Sequence, residues 1–358
     1  MPNRDYLAIP DPEVEACLDK MPGFGPVPGD MVSARLAFDK LVIVAARKAT
    51  EPFLPHESEY RVQEFQIPVD SGEIAVRCLM PITVGQENKT FPLLYWTHGG
   101  GWLFGNLDMD DMFLRTICVE LQITVVNVDY RLAPEYPFPT GVNDAYTALK
   151  WAVNHTPLLS VDPSKGFIVS GSSAGGNLAT VIAHRSQDDP FFEGRRVTGQ
   201  LLQIPAICHP GGYPDEYKGE LLSFDTTGDA RLLAKAHMVA TYEKYGAPAT
   251  NPECSPLLYP SHKGQPPAYM QVCGVDPLRD EALLYERLLR DDGVKTKLEV
   301  YPGVGHGFHI YAPESKSAKK FVQDFKYGLK WLLAGRYLRD SNINSPNFIC
   351  IRNVPGKL

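Results

Sequence analysis

Nowhere in this 358-residue sequence does an apolar run reach about 18 residues, the length a membrane-crossing helix needs, so no membrane span is expected. The opening stretch MPNRDYLAIPDPEVEACLDK mixes acids and prolines where a secretory signal would carry a basic start and an apolar core. A cytoplasmic location is expected. Basic clusters are missing too: the formal net charge is −7 and the charges are dispersed, which argues against nucleic acid or anionic lipid as a partner. The seven cysteines, at 17, 78, 118, 208, 254, 273 and 350, include no CxxC pair. Neither a zinc site nor a disulfide framework is indicated, and the cysteines read as buried free thiols. No metal and no cofactor is expected. No repeat, low-complexity tract or linker divides the chain, and residues 339–358 read as an irregular tail. Its last three residues, Gly356-Lys357-Leu358, differ at one position from the peroxisomal signal Ser-Lys-Leu, which leaves peroxisomal import as an alternative address.

What is present is a composition of 44% hydrophobic and 22% charged residues, a balance that fits a globular enzyme or binding protein. From about residue 62 onward, β-rich runs alternate with helical patterns. Strands are expected at 62–68, 74–80, 92–97, 123–129, 167–172, 200–207, 268–274 and 297–301. Helices are expected near 109–122, 141–155, 174–187, 280–292 and 315–334. This is the pattern of an α/β fold with a mostly parallel eight-stranded sheet flanked by helices. Residues 1–50 and about 210–250 fall outside the alternation and are expected to form a helical cap, with 51–338 as the catalytic domain. A homodimer is the base-rate expectation for oligomeric state.

Acyl transfer by a serine needs a hydroxyl, an imidazole to take its proton, a carboxylate to fix the imidazole, and donors aimed at the developing oxyanion. Gly171-Ser172-Ser173-Ala174-Gly175 matches G-x-S-x-G between an expected strand and an expected helix, which makes Ser173 the candidate nucleophile. His98-Gly99-Gly100-Gly101-Trp102 follows another apolar strand. The amides of Gly100 and Gly101, with that of Ala174, could face the oxyanion, and His98 reads as a holder of the loop. Asp276 ends the strand AYMQVCGV at the sheet edge where open α/β folds build their sites. Asp280 is its rival but is better placed to cap the following helix. His306 lies in a glycine-rich loop after the last strand, whereas its rival His309 sits beside Phe308 and Ile310 in what reads as a packed segment. The chain order Ser173, Asp276, His306 is the order of α/β-hydrolases. Phe24, Phe38, Trp102, Phe104, Phe224 and Tyr242 suggest an apolar substrate pocket, with Trp102, Phe104 and Phe224 as substrate-binding candidates.

Together with Asp129-Tyr130-Arg131-Leu132-Ala133-Pro134-Glu135 and Phe138-Pro139, these motifs resemble the hormone-sensitive-lipase family of α/β-hydrolases over roughly residues 60–335. The family includes microbial carboxylesterases, arylacetamide deacetylases and plant carboxylesterases. The resemblance implies an α/β-hydrolase fold with a helical cap and cofactor-free hydrolysis of small acyl or aryl esters by the triad Ser173, Asp276 and His306. Asp129 and Arg131 are expected to brace each other beside the site. One departure is Ser172, where many members carry aspartate before the nucleophile. The other readings are acyl transfer to another acceptor, an elimination, and a non-catalytic small-molecule receptor on the same scaffold.

Overall fold

The computed structural model describes residues 4–21, 30–86, 88–228 and 230–335. Phe24, the 339–358 tail and the terminal Gly-Lys-Leu lie outside them. The eight strands are β1 (Tyr60–Val69), β2 (Gly72–Pro81), β3 (Leu93–Thr97), β4 (Thr124–Val128), β5 (Phe167–Ser172), β6 (Gly199–Gln203), β7 (Ala268–Val275) and β8 (Thr296–Gly305). They form one sheet in the order β1-β2-β4-β3-β5-β6-β7-β8, antiparallel where β2 meets β1 and β4 and parallel from β4 to β8.

The helices are α1 (Pro12–Leu18), α2 (Met31–Phe38), α3 (Val44–Thr50), α4 (Asp111–Leu121), α5 (Thr140–Asn154), α6 (Ala174–Asp188), α7 (Ser223–Thr226), α8 (Lys235–Tyr245), α9 (Arg279–Asp291), α10 (Phe308–Tyr311) and α11 (Lys316–Ala334). A π-helical turn over Asp39–Ile43 joins α2 to α3. Successive strand residues point to opposite faces, so the central strands, covered on both, are buried and largely apolar. Tyr95, Val126 and Val169 pack with Val142, Leu149 and Leu178 of α5 and α6. Their neighbours Leu94, Val125 and Ile168 pack on the other face with Ile117, Phe325 and Leu329 of α4 and α11.

At the level of the fold, two expectations need correction. The strand expected over 200–207 stops at Gln203, because Ile204 adopts φ 40° and the following amides leave the ladder. The amides of Ile207 and Cys208 donate instead to Oε1 of buried Glu281, at 2.7 and 3.1 Å, and Ala206 N donates to Ser173 O. Nor does Arg131 brace Asp129. Its guanidinium grips Asp144 on α5 with two hydrogen bonds of 2.8 and 2.7 Å and also donates to Asp70 O. Asp144 is the better partner because it is buried and would otherwise hold an unpaired charge.

The pair ties the segment after β4 to α5. Arg131→Met strands the Asp144 carboxylate and is expected to lower unfolding free energy by about 3 kcal/mol, the usual cost of breaking one side of a buried ion pair. Urea denaturation checks this, and a change below about 0.5 kcal/mol would contradict it.

Candidate active site

Parallel strands deliver their C-terminal ends to one edge of the sheet, and four of them carry the candidate groups there. Gly99–Gly101 follow β3, Ser173 follows β5, Asp276 follows β7 and His306 follows β8. Ser173 occupies the turn between β5 and α6 with φ 55° and ψ −117°. Such a conformation costs about 1–3 kcal/mol in a non-glycine residue and persists only where the surroundings enforce it. The enforcement comes from backbone pressed on backbone. A Cβ on Gly175 would lie 2.0 Å from Thr97 O and 2.4 Å from His98 O, so only glycine lets α6 start this close to the end of β3. Thr97 Oγ1 donates to Gly175 O at 2.8 Å, and Ser173 N donates to Gln203 O at 2.9 Å.

His306 Nε2 stands 2.9 Å from Ser173 Oγ, and His306 Nδ1 stands 2.8 Å from Asp276 Oδ2. With the ring proton on Nδ1, donated to the carboxylate, Nε2 is left to accept the hydroxyl hydrogen. The other oxygen of buried Asp276 accepts the Leu278 amide at 2.9 Å, which fixes the carboxylate's rotation. His309 lies elsewhere: its ring stacks on Phe321 at 4.5 Å, and loss of hydration pushes the imidazole down to about 4. Asp280 does not cap its own helix. It pairs with Arg279 and Arg4 and accepts the amides of Leu222 and Ser223, because these charged and polar partners from three segments converge on it. No sequence pattern announces this anchor, since Arg4 lies 276 residues away.

Gly100 has φ 106° and Gly101 φ 62°. The amides of Gly100, Gly101 and Ala174 donate to no acceptor among the described residues. Gly100 O accepts the amides of Leu103 and Phe104, which curls the loop back on itself. Two segments pack on this loop. From the first, Arg35 of α2 donates to Leu103 O and Ala133 O, and Phe38 stacks on Phe104 at 5.0 Å. From the second, Thr241 of α8 abuts Gly101, and Tyr245 stacks on Trp102 at 4.3 Å. Trp102 is thus buried against Tyr245 and Tyr242, while Phe224 and Tyr242 help line a cavity of about 620 Å³ with His209, Val239 and Glu243. A residue the sequence did not single out, Met109, flanks Gly99 as Ser173 does: a Cβ on Gly99 would lie 3.6 Å from Met109 Cε and 3.6 Å from Ser173 Cβ. It packs with Val42, Ile43, Ile310 and Tyr311. Among the described residues, no group of three or more His, Cys, Asp or Glu is arranged to hold a metal ion. No helix among them is long and apolar enough to cross a membrane.

Gly175→Ala forces the start of α6 away from β3 and so moves Ser173 relative to the glycine loop. Displacements near 1 Å cost about 100-fold in well-aligned sites, and a loss of that order is expected in the rate of Ser173 labelling by a fluorophosphonate, with far-ultraviolet circular dichroism retained. Labelling at the native rate would contradict the geometric account.

Comparison with known proteins gives the chain its family. The family model described as alpha/beta hydrolase fold matches residues 94–310. An AB hydrolase superfamily protein of Schizosaccharomyces pombe is 34% identical over 290 residues, 80% of this chain and 84% of that protein. Versiconal hemiacetal acetate esterase of Dothistroma septosporum is 31% identical over 297 residues, 82% of this chain and 88% of its own. The crystal structure of vibralactone cyclase superposes with a TM-score of 0.90 at 42% identity, covering 92% of this chain and 97% of that one. The sheet order, the strand-end placement of the candidate groups and these similarities agree: the chain belongs to the hormone-sensitive-lipase-like family of α/β-hydrolases and is an esterase-type hydrolase.

Proposed function

We propose that the protein hydrolyses carboxylic esters of small to medium apolar acyl or aryl groups through an acyl-enzyme on Ser173. The observation that carries the reading is the imidazole of His306 held between Ser173 Oγ and Asp276 Oδ2 at 2.9 and 2.8 Å. The hydroxyl attacks the ester carbonyl as its proton passes to Nε2, and Asp276 stabilises the imidazolium. The carbonyl oxygen becomes an oxyanion, for which the unpaired amides of Gly100, Gly101 and Ala174 are the candidate donors. His306 returns the proton to the departing alkoxide. A water then gives its proton to His306 and its oxygen to the acyl carbon, and Ser173 regains a hydrogen as the acid leaves. Phe104 and Phe224 are the proposed apolar walls, and Trp102, packed on Tyr245, supports the loop beneath them.

A second reading has a specific observation behind it, the similarity to a protein named vibralactone cyclase. If a hydroxyl of the bound acyl group takes the place of water, the same steps close a lactone. Product analysis on hydroxyacyl esters separates free acid from lactone.

Ser173→Ala is expected to abolish the burst with p-nitrophenyl butyrate and to cut kcat by at least about 10³-fold. Asp276→Asn is expected to cut kcat by about 10²–10⁴-fold with KM changed far less, because the wrong tautomer of His306 then faces the serine. Stopped-flow kinetics measures both, and near-native turnover by Ser173→Ala would overturn the assignment.

A further inference from the structure

His98 is wholly buried beneath the glycine loop. Its ring stacks on Tyr130 at 4.4 Å, and Gly105 closes over Nδ1, where a Cβ would come within 2.4 Å. Two acceptors flank the ring. Gly99 O lies 2.8 Å from Nδ1, and Asp129 Oδ1 lies 4.0 Å from Nε2. A neutral imidazole carries one ring proton and can serve only one of them. The 2.8 Å contact requires that proton on Nδ1, which leaves the Nε2 lone pair, buried and without a hydrogen-bond partner, facing a carboxylate. A proton on Nε2 would instead set the Nδ1 lone pair against Gly99 O. One additional proton satisfies both sides.

We propose that His98 and Asp129 form a positioning unit that binds one proton from solvent between Nε2 and Oδ1, and that this proton tightens the loop carrying Gly100 and Gly101. The proposal rests on the reading of those amides as oxyanion donors. Closing the gap by about 1 Å gives a hydrogen bond of ordinary length. The bond would join the end of β4 to the loop after β3, where Tyr130 Oη already donates to His98 O at 2.9 Å. Asp129 keeps 39% of its side-chain surface, so solvent can deliver the proton. The charged groups around it are Glu64 on β1, Arg77 on β2 and Asp108 in the loop before α4, while Asp110 of the same loop acts on neighbouring Tyr130. Arg77 is already engaged by Glu64, Asp108 and Asp111. Loss of hydration, reinforced by the carboxylates of Asp108 and Glu64 against the opposing charge of Arg77, pushes Asp129 up to about 6. Burial holds His98 down to about 4 against the raising effect of its bond to Gly99 O. A carboxyl raised on folding is protonated at lower pH and loses its proton as pH rises through this range, so the bridging bond is made below about pH 6 and lost above it.

The test is Asp129→Asn, whose amide donates to Nε2 at every pH and carries no titrating proton. Dividing its kcat by that of the native enzyme cancels the ionisation of His306. The ratio is expected near one at low pH and to climb about 2–10-fold by pH 8, the worth of one ordinary hydrogen bond, with KM unchanged. Nitrogen-15 spectra of histidine-labelled, full-length Ser173→Ala protein read the proton without turnover: His98 Nε2 should shift toward the protonated form as pH falls from about 8 to about 5. A ratio flat with pH, or an Nε2 resonance that does not titrate, overturns the proposal. Retained activity in Ser173→Ala bears only on the catalytic reading.

Discussion

The close approach of α6 to the end of β3 is the constraint on which the site depends. Gly175 leaves no room for a side chain against Thr97 O and His98 O, and that contact joins the turn bearing Ser173 to the loop bearing Gly99, Gly100 and Gly101. The positive φ of Ser173 is the cost of exposing its hydroxyl at the sheet edge. Bonds from Ser173 N to Gln203 O and from Ala206 N to Ser173 O hold the turn from the β6 side. The hydroxyl is therefore placed by the backbones of three strands, and His306 needs only the loop after the fourth to reach it.

Polar anchoring fixes the segments that pack around this frame. Buried Glu281 gathers the amides of Ile207 and Cys208 and the hydroxyl of Tyr213. Asp280, its neighbour on α9, gathers Arg4, Arg279 and the start of α7. Adjacent carboxylates on one helix thus tie down the chain after β6, the N-terminal segment and the start of α7. Aromatic contacts complete the attachment, with Phe38 on Phe104 and Tyr245 on Trp102. These contacts hold the glycine loop between the two segments that pack on it.

Local pattern carried most of the fold and the placement of the candidate groups. Apolar β-rich runs alternating with periodic helical stretches mark every strand of the sheet, and of the three candidate residues read from motif context and chain order, His306 stands within hydrogen-bond reach of both Ser173 and Asp276. Partners that meet only through tertiary packing were not legible. Arg131 stands two residues from Asp129, yet it pairs with Asp144, because the deciding factor is which carboxylate the fold buries. The early end of β6 depends on Glu281, more than 70 residues away. Asp280 reads locally as a helix cap, and only the fold brings Arg4 and Ser223 to it. Met109 carries no motif at all, and its position follows from the loop that the glycines permit.

The central claim is that the acyl group passes through a covalent bond to Ser173. Rapid-quench intact-mass spectrometry of the native protein mixed with a slowly deacylating aryl ester tests it most directly. The account predicts a transient mass increase of one acyl group, mapped by peptide digestion to the segment containing Ser173 and decaying as free acid appears. Steady product release without an adduct, or an adduct on another residue, would contradict it.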